Sequence, residues 1–258
     1  MPIQRIAGLQ VHQAGTGPAV LMLHGLGGTL SVWEPQAAAI AAAFTAIRYD
    51  SRGAGGSPAE RPLSIAGWVD DLAALMDALG LEKAHLVGHS LGTLVAQHFA
   101  ARFPERVSSL ALCGINRSPP DARRASVRQR AEDVRRHGMA PLVDTLLAGA
   151  TSAHSRRHAP AAMAAIREML SRQVDRDYAW SCEAMAEGTR PDLSSLDAPL
   201  LLVCGLDDTV SPPQLSRELA AERSGTTLVE IADCGHWMPL EQPERVTRAL
   251  LDFLPAGA

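Results

Sequence analysis

The stretch that decides the fold is HLVGHSLGTLVAQHFA, residues 85–100, in which Ser90 stands between Gly88 and Gly92. An apolar run leads into this serine and a run with helical periodicity follows it, so the stretch predicts a strand, a tight turn and a helix. The two glycines leave room for a strained turn and for close strand–helix packing. An ordinary turn with a capping serine is the alternative interpretation, but the strand before Ser90 and the helix after it favour a nucleophile.

A serine hydroxyl is a weak nucleophile at neutral pH, so it needs a base within hydrogen-bond reach and a third group that orients the base. The candidate base is His236, in the loop IADCGHWMPLEQPE that follows the predicted strand TTLVEIA. Of the nine histidines in the chain, His236 is the one that lies in a loop after the last predicted strand. Position therefore separates it from histidines with a structural role.

Two carboxylates compete for the role of the orienting acid. Asp207 and Asp208 both follow the predicted strand APLLLVCG, and only one of them can hydrogen-bond to His236. The neighbour is then a surface or capping carboxylate. With either acid, the chain order is serine, aspartate, histidine, which is the order found in α/β-hydrolases.

The oxyanion that forms during acyl transfer needs hydrogen-bond donors. One candidate is the backbone N–H of Leu91, directly after the predicted nucleophile, and the other is the backbone N–H of Leu26 in the loop HGLGG, residues 24–28. Glycines in that loop let the backbone approach a substrate closely. A plain glycine-rich turn is the alternative for this loop. It lacks the strand–helix fingerprint of dinucleotide sites, and no histidine–carboxylate cluster has metal-ligand spacing, so no cofactor or metal is implied.

Strand-like and helix-like segments alternate over most of the chain, which predicts an α/β protein with a mainly parallel sheet. Residues from about 116 to 191 break the alternation, because they show helical periodicity and no strand-like run. A helical insertion of this length is far longer than an ordinary connection. We therefore divide the chain into a first core part at 1–115, a helical cap at 116–191 and a second core part at 192–258.

Composition narrows the class of protein. The chain has 258 residues, 47% of them hydrophobic, and a net charge of −4, so it can bury a sizeable core and has no overall basic character that favours nucleic acid. Four widely spaced cysteines predict free thiols in a reducing compartment. We see no signal peptide and no apolar run long enough to span a membrane, and we expect a cytoplasmic protein.

The assembled motifs resemble those of the α/β-hydrolase superfamily. They are HGLGG, RYDSRGAGGS, GHSLG, GLDDTVSP and GHWMPLEQPE, spread over nearly the whole chain. The resemblance implies the α/β-hydrolase fold: a mainly parallel eight-stranded sheet flanked by helices, with a helical cap inserted. It also selects the acid, because the superfamily acid typically falls three residues after the glycine that ends the strand. Counted from Gly205, that residue is Asp208.

Within the superfamily the chain is most similar to 3-oxoadipate enol-lactonases. The stretches that carry this similarity include RYDSRGAGGSP and, inside the insertion, RRHGMAPLVDTLL and REMLSRQVDRDYAWSCEAM. Enol-lactonases usually carry SNSLG-like residues in the first oxyanion loop, whereas this chain has HGLGG, the commoner esterase form. The resemblance therefore implies hydrolysis of a small carboxylic ester or lactone by Ser90, Asp208 and His236, through an acyl-enzyme.

Several residues are candidates for substrate binding: Gly25, Trp33, Trp180 and Trp237. The arginines of the insertion, among them Arg123 and Arg130, form mainly a solvated face, from which one or two can meet a substrate carboxylate. Carbon–carbon bond hydrolysis and perhydrolysis use the same three catalytic residues and stay open as alternatives, as does a non-catalytic ligand receptor on the same fold. We expect a small-molecule substrate and no nucleic-acid or membrane partner; assembly into a homo-oligomer is compatible with the sequence.

Overall fold

The fold was analysed in a computed structural model that describes residues 2–118 and 120–255. The predicted domain ranges also include Met1, Pro119 and residues 256–258, which lie outside the described residues. One eight-stranded sheet forms the centre of the molecule. Its strands are, in chain order, β1 (Gln4–Ile6), β2 (Leu9–Ala14), β3 (Ala19–Leu23), β4 (Thr45–Tyr49), β5 (Ala84–His89), β6 (Val107–Cys113), β7 (Leu200–Gly205) and β8 (Thr227–Ile231).

The strand order across the sheet is β1-β2-β4-β3-β5-β6-β7-β8. The first two strands form an antiparallel hairpin, and β2 pairs antiparallel with β4. All other pairings are parallel, with β5 between β3 and β6. The predicted mainly parallel, eight-stranded sheet is therefore confirmed. Parallel strands present their carboxyl ends at one edge, and the loops at that edge carry the candidate site residues.

Helices flank the sheet. They are α1 (Glu34–Ile40), α2 (Ile65–Ala78), α3 (Leu91–Arg102), α4 (Asp121–His137), α5 (Val143–Ala150), α6 (Ala153–His158), α7 (Pro160–Ser171), α8 (Asp175–Ala186), α9 (Pro213–Glu222), α10 (Met238–Glu241) and α11 (Pro243–Phe253). Capping interactions determine where some of these helices begin and end. The Ser64 side chain caps α2 by accepting the backbone N–H of Gly67, and Gly80, at a φ of +67°, follows its end.

The core lies on both faces of the central strands. Every residue of β3, β5 and β7 is buried, as are five consecutive residues at the carboxyl end of β6. This explains why these segments are nearly continuous apolar runs in the sequence, because a parallel strand covered by helices on both faces has no solvent-facing side. Burial of their side chains stabilises the sheet by about 25 cal/mol for each Å² of apolar surface removed from water.

Five helices, α4 to α8, follow β6 and precede β7. In the described part of residues 116–191 there is no strand, as the sequence predicted. Two of these helices, α4 and α8, pack against each other along their length. The division of the chain into a core and a cap stays a prediction.

All four cysteines, Cys113, Cys182, Cys204 and Cys234, are buried free thiols. Burial raises the pKa of each of these thiols above its usual value. Among the described residues, no helix is both long enough and apolar enough to cross a membrane.

Candidate active site

Ser90 sits on a strained turn between β5 and α3. Its backbone has φ of +52° and ψ of −116°, a conformation that side-chain-bearing residues rarely adopt. Its N–H donates to the Cys113 carbonyl at 3.0 Å, and its carbonyl accepts from the backbone N–H of Thr93. Glycine is required on either side: a Cβ at Gly88 would lie 2.7 Å from the Gly92 carbonyl oxygen, and one at Gly92 would lie 2.4 Å from the Leu23 oxygen. The predicted strand, turn and helix are all present.

Two hydrogen bonds link Ser90 to His236 and His236 to Asp208. The Nε2 atom of His236 is 2.7 Å from the hydroxyl oxygen of Ser90, and its Nδ1 atom is 2.8 Å from Oδ2 of Asp208. All three residues are buried. Because a carboxylate accepts hydrogen bonds, Nδ1 carries the proton and Nε2 is free to accept the proton of the serine. The structure thus brings together three residues that lie far apart in the sequence.

The two competing carboxylates of the β7–α9 loop differ in position. The Asp208 side chain is fully buried; its Oδ1 accepts the backbone N–H groups of Val210 and Ser211, both at 2.8 Å, while Oδ2 faces His236. Asp207 is exposed. Its backbone N–H, rather than its carboxylate, holds the loop by donating to the Cys234 carbonyl. The structure therefore places Asp208, and not Asp207, next to His236, and its role as the orienting acid stays a prediction.

The loop after β3 approaches Ser90 from the other side. A Cβ built on Gly25 would lie only 2.8 Å from the Cβ of Ser90, so glycine is required there. His24 fixes the loop: its Nδ1 atom donates to the Gly25 carbonyl at 2.8 Å, and its Nε2 atom accepts the Ser51 backbone N–H at 3.0 Å. Burial lowers the pKa of His24. The ring is therefore neutral, in the tautomer that both hydrogen bonds need.

The two predicted oxyanion donors are the backbone N–H groups of Leu26, which follows Gly25 in this loop, and Leu91, which follows Ser90. Among the described residues, neither N–H donates a hydrogen bond to any protein acceptor. Leu91 is the first residue of α3, so its N–H has no partner within the helix. Stabilising negative charge on a substrate oxygen requires unpaired donors of this kind, and the role of these two N–H groups in binding the oxyanion stays a prediction.

His89 packs between the turn and the loop of His236. Its Nε2 atom is 2.8 Å from the His236 backbone carbonyl, and its ring centroid lies 5.1 Å from that of His236. Burial, with the nearby charge of His236, lowers the pKa of His89 to about 3. A neutral His89 with its proton on Nε2 donates to that carbonyl and holds the loop in place.

Glu241, which sequence reasoning missed, organises the loop of His236. Its Oε2 accepts the backbone N–H of Gly235 at 3.0 Å, and its Oε1 accepts that of Trp237 at 3.0 Å, so it holds the residues on both sides of His236. Oε2 also accepts the Ser152 backbone N–H at 2.8 Å. The carboxylate is buried, where charge-assisted hydrogen bonds are strong. The sequence shows that a glutamate stands shortly after His236, but not which backbone N–H groups its side chain accepts.

A cavity of about 320 Å³, hereafter the active-site cavity, opens onto Ser90 and His236. Its volume is typical of a site for a small molecule. Helices α4, α5, α7 and α8 supply much of the wall, so residues of the insertion and loops at the carboxyl ends of the strands enclose it together. Its apolar part includes Leu26, Leu146, Leu170, Met185 and Trp237.

The predicted substrate-binding residues differ in location. Trp237 lines the active-site cavity. Trp33 does not: it is fully buried in the core, with its ring edge-on to that of His89. Trp180 is also absent from the wall; it packs under the Arg176 guanidinium, which lies 4.7 Å from its ring centroid. Gly25 lies against Ser90 rather than on the cavity wall.

The polar part of the cavity wall contains cationic and neutral residues, among them Arg117, Arg123, Arg130, Asn116 and Tyr178. The sequence singled out Arg123 and Arg130 only within a larger group of arginines and did not identify Arg117 or Tyr178. In the described part of the chain, no group of three or more His, Cys, Asp or Glu side chains is arranged to hold a metal ion.

Comparison with known proteins agrees with this fold. Residues 18–243 match the model of the alpha/beta hydrolase fold family. The chain belongs to the alpha/beta hydrolase fold family.

Three relatives illustrate the range of the family around this chain. The proposed carbamate hydrolase RutD of Variovorax paradoxus is 32% identical over 95% of this chain and 94% of its own length. The structure of a thermophilic esterase from Thermogutta terrifontis is 32% identical with a TM-score of 0.89, over 95% of this chain and 93% of its own. The enol-lactonase from Burkholderia xenovorans LB400 is 30% identical with a TM-score of 0.89, over 98% of this chain and 99% of its own. The similarity to enol-lactonases noted in the sequence is therefore confirmed.

Proposed function

We propose that this protein is a serine hydrolase that cleaves a small carboxylic ester or lactone through an acyl-enzyme on Ser90. The observation that carries the proposal is the continuous hydrogen bonding from Ser90 through His236 to Asp208, at 2.7 and 2.8 Å. A base, its orienting acid and a nucleophile in this geometry are what acyl transfer requires.

In the first half of the reaction, the Ser90 hydroxyl oxygen attacks the substrate carbonyl while Nε2 of His236 takes its proton. Asp208 accepts the hydrogen bond from Nδ1 and stabilises the imidazolium that forms. His236 then gives the proton to the leaving alkoxide, which departs as an alcohol. A water molecule then attacks the acyl-enzyme carbonyl while His236 takes its proton, and as the bond to Ser90 breaks His236 returns that proton to the serine oxygen, which releases the acid and restores the free enzyme.

The backbone N–H groups of Leu26 and Leu91 bind the oxyanion of both tetrahedral intermediates. Gly25 supports this role, because the absence of a side chain lets the loop lie against Ser90. Neither donor has a competing protein acceptor among the described residues, so both are available to the substrate oxygen. Preorganised donors of this kind each contribute about 10²- to 10³-fold to turnover.

The helices at 116–191 act as a cap that selects the substrate, together with Trp237 and Leu26 on the core side. The cavity volume of about 320 Å³ suits a small acyl group rather than a long lipid chain. An enol-lactonase and an esterase among the similar structures support the lactone and ester classes. The HGLGG loop, in the esterase form, favours simple esters and lactones over one named enol-lactone.

A substrate panel tests the proposal. Purified protein and its Ser90→Ala variant are assayed with short-chain p-nitrophenyl esters, simple lactones, an enol-lactone, an aryl carbamate and a diketone, for peroxide-dependent activity, and for binding of the same compounds. We expect turnover of at least one ester or lactone that disappears in the variant, while circular dichroism shows an unchanged fold. If only the diketone is cleaved, the protein is a carbon–carbon bond hydrolase, and if activity depends on peroxide, it is a perhydrolase. Ligand binding without any turnover would instead indicate a non-catalytic receptor.

A further inference from the structure

A second cavity, of about 290 Å³, lies next to the active-site cavity and is hereafter called the outer groove. Its lining includes Gln97, Arg190, Leu193 and Leu219. Among the described residues, Arg117 is the one that lines both the active-site cavity and the outer groove. The Arg117 side chain therefore lies where the two spaces meet.

Two helices pass from one space to the other at this junction. On α9, Leu215 lines the active-site cavity, and Leu219, one turn later on the same helix face, lines the outer groove. On α3, the Gln97 side chain of the outer groove donates to the carbonyl of Asn116, a residue of the cavity wall, at 2.9 Å. The Arg117 side chain is only 10% exposed. It therefore fills the space at the junction.

Ion pairs on the groove side hold the Arg117 side chain in place. Oε2 of Glu222 lies 2.8 Å from Arg117 and 2.6 Å from Arg190, so two guanidinium groups share one carboxylate, and Glu218 lies 4.0 Å from Arg117. Both glutamates are exposed. Ion pairs with exposed carboxylates are weak, because water and salt screen them. A substrate chain that pushes against Arg117 therefore meets a neutralised side chain that is easily displaced.

The segment that carries Arg117 begins beside the ring of His236. A Cβ built on Gly114, three residues before Arg117, would lie 3.3 Å from Nδ1 of His236. In the proposed reaction His236 gives its proton to the leaving alkoxide, so the alcohol part of an ester lies on the His236 side of the reacting carbon. A longer alcohol chain therefore extends toward Arg117.

We propose that Arg117 is a specificity-determining residue that closes the alcohol side of the active-site cavity and so restricts the enzyme to esters of short alcohols. When this side chain is shortened or displaced, an aliphatic alcohol chain continues into the outer groove, where Leu193 and Leu219 provide apolar surface. The restriction is steric, because Glu222 neutralises the arginine. This inference rests on the proposed function, because it concerns which esters the same cavity accepts.

The kinetic test varies the alcohol and keeps the acyl group constant. Hydrolysis of ethyl, butyl and octyl acetate is followed by titration of the acetic acid released, and the ratio of kcat/KM for octyl acetate to that for ethyl acetate is compared between proteins. Arg117→Ala should raise this ratio by about tenfold, mainly through KM, the gain expected when about two more methylene groups of the substrate leave water. The ratio for p-nitrophenyl octanoate to p-nitrophenyl acetate, in which only the acyl chain varies, should stay at the wild-type value.

Control variants separate the closed wall from the ion pairs. Arg117→Lys keeps a long side chain at the junction and should keep the wild-type ratio. Arg190→Ala removes the other partner of Glu222 without opening the active-site cavity and should also keep it. Adding Leu193→Trp to Arg117→Ala fills the outer groove and should return the ratio to the wild-type value.

A second variant keeps the test valid if Arg117→Ala lowers the thermal unfolding temperature. Glu222→Gln leaves Arg117 in place and weakens its anchorage, so it should raise the octyl-to-ethyl ratio by a smaller factor. A wild-type ratio in both Arg117→Ala and Glu222→Gln would overturn the proposal. A gain confined to the acyl series would overturn it as well, because the wall would then lie on the acyl side.

A binding measurement keeps this inference separate from the proposed function. Titration calorimetry of 1-octanol into the Ser90→Ala variant needs no turnover, and adding Arg117→Ala should tighten binding by about tenfold. That result supports the closed wall even if no ester is hydrolysed. Ester hydrolysis by the wild-type protein, with equal 1-octanol binding by the two Ser90→Ala proteins, would overturn the role of Arg117 and leave the hydrolase intact.

Discussion

The carboxylate of Glu241 accepts the backbone N–H of Ser152 at 2.8 Å, and this hydrogen bond ties the loop of His236 to the inserted helices. The backbone N–H of His236 makes a second tie, since it donates to the Ala150 carbonyl at 2.9 Å. The position of the proposed base therefore depends on the insertion as well as on the sheet.

Replacing Glu241 by glutamine should weaken this connection. Glutamine keeps only one acceptor oxygen, so at least one of the three backbone N–H groups that the carboxylate now accepts loses its partner, and a buried donor left unpaired costs about 1–3 kcal/mol. For a chain of this size we expect a fall in Tm of about 2–4 °C per kcal/mol, measured by differential scanning calorimetry. We also expect kcat for p-nitrophenyl butyrate to fall by about tenfold, as His236 loses its fixed position.

Glu244→Gln is the matched control, because Glu244 is exposed on the neighbouring helix α11. It should behave as wild type in both measurements. If Glu241→Gln also kept the wild-type Tm and kcat, the loop would not depend on this carboxylate.

Asparagine substitutions at the two neighbouring aspartates should have very different effects. Asp208→Asn removes the charge that faces Nδ1 of His236 and should lower kcat by about 10³- to 10⁴-fold. Asp207→Asn, at an exposed position, should stay within about threefold of wild type. Steady-state hydrolysis of p-nitrophenyl butyrate measures both, and a larger loss for Asp207→Asn would reverse the assignment.

Gly25→Ala should inactivate the protein. The added Cβ would lie 2.8 Å from the Cβ of Ser90 and 3.0 Å from Nδ1 of His89, so the loop that carries Leu26 must move away. Displacing an oxyanion donor costs about 10²- to 10³-fold in kcat, which ester hydrolysis measures.

Gly149→Ala, in the wall of the active-site cavity, provides a comparison for the effect of an added methyl group on stability. A Cβ there meets nothing within 4 Å, and Gly149 lies within α5. We expect it to stabilise the fold by about 0.5–1 kcal/mol through helix propensity. A Gly25→Ala variant with near wild-type kcat would show that the close approach to Ser90 is not needed.

His89 should make the protein less stable in mild acid. Its pKa is about 3 in the folded chain, below the usual value of 6.5, so between these values the unfolded state binds a proton that the folded state does not. The stability associated with neutral His89 is complete above pH 6.5 and is lost as the pH falls toward 3. By pH 5 the loss is about 2 kcal/mol, at about 1.4 kcal/mol per pKa unit.

Urea unfolding of wild type and of His89→Gln at pH 7 and pH 5 measures this contribution. His24 and His85, whose pKa values burial also lowers, titrate in both proteins and cancel in the comparison. The variant should lose less stability than wild type between the two pH values. Equal losses would mean that His89 is not buried as a neutral ring.

Much of the fold and of the candidate site could be predicted from the sequence, because the information is local. Continuous apolar runs identify the buried parallel strands, and the turn at Ser90 needs glycines at fixed positions. His236 and Asp208 each follow a strand, and parallel strands bring their carboxyl ends to one edge. The alternation of strands and helices thus also brings the three residues together.

The remaining features depend on side-chain direction, which sequence position does not determine. Trp33 lies near a site loop in the sequence but turns into the core, and Trp180 turns toward Arg176. Arg123 and Arg130 are distinguished from the other arginines of α4 only by the helix face that borders the cavity. Glu241 acts through backbone N–H groups, which leave no pattern in the sequence.

The central claim is that Ser90 becomes covalently bonded to the substrate acyl group. The most direct measurement uses a p-nitrophenyl alkylphosphonate, which phosphonylates an activated serine and is not readily released, followed by intact-protein and peptide mass spectrometry. Our account predicts one phosphonyl group per chain, attached to Ser90, in proportion to the loss of esterase activity, and no label in the Ser90→Ala variant. Complete inactivation with the label on another residue, or esterase activity that persists in the Ser90→Ala variant, would contradict it.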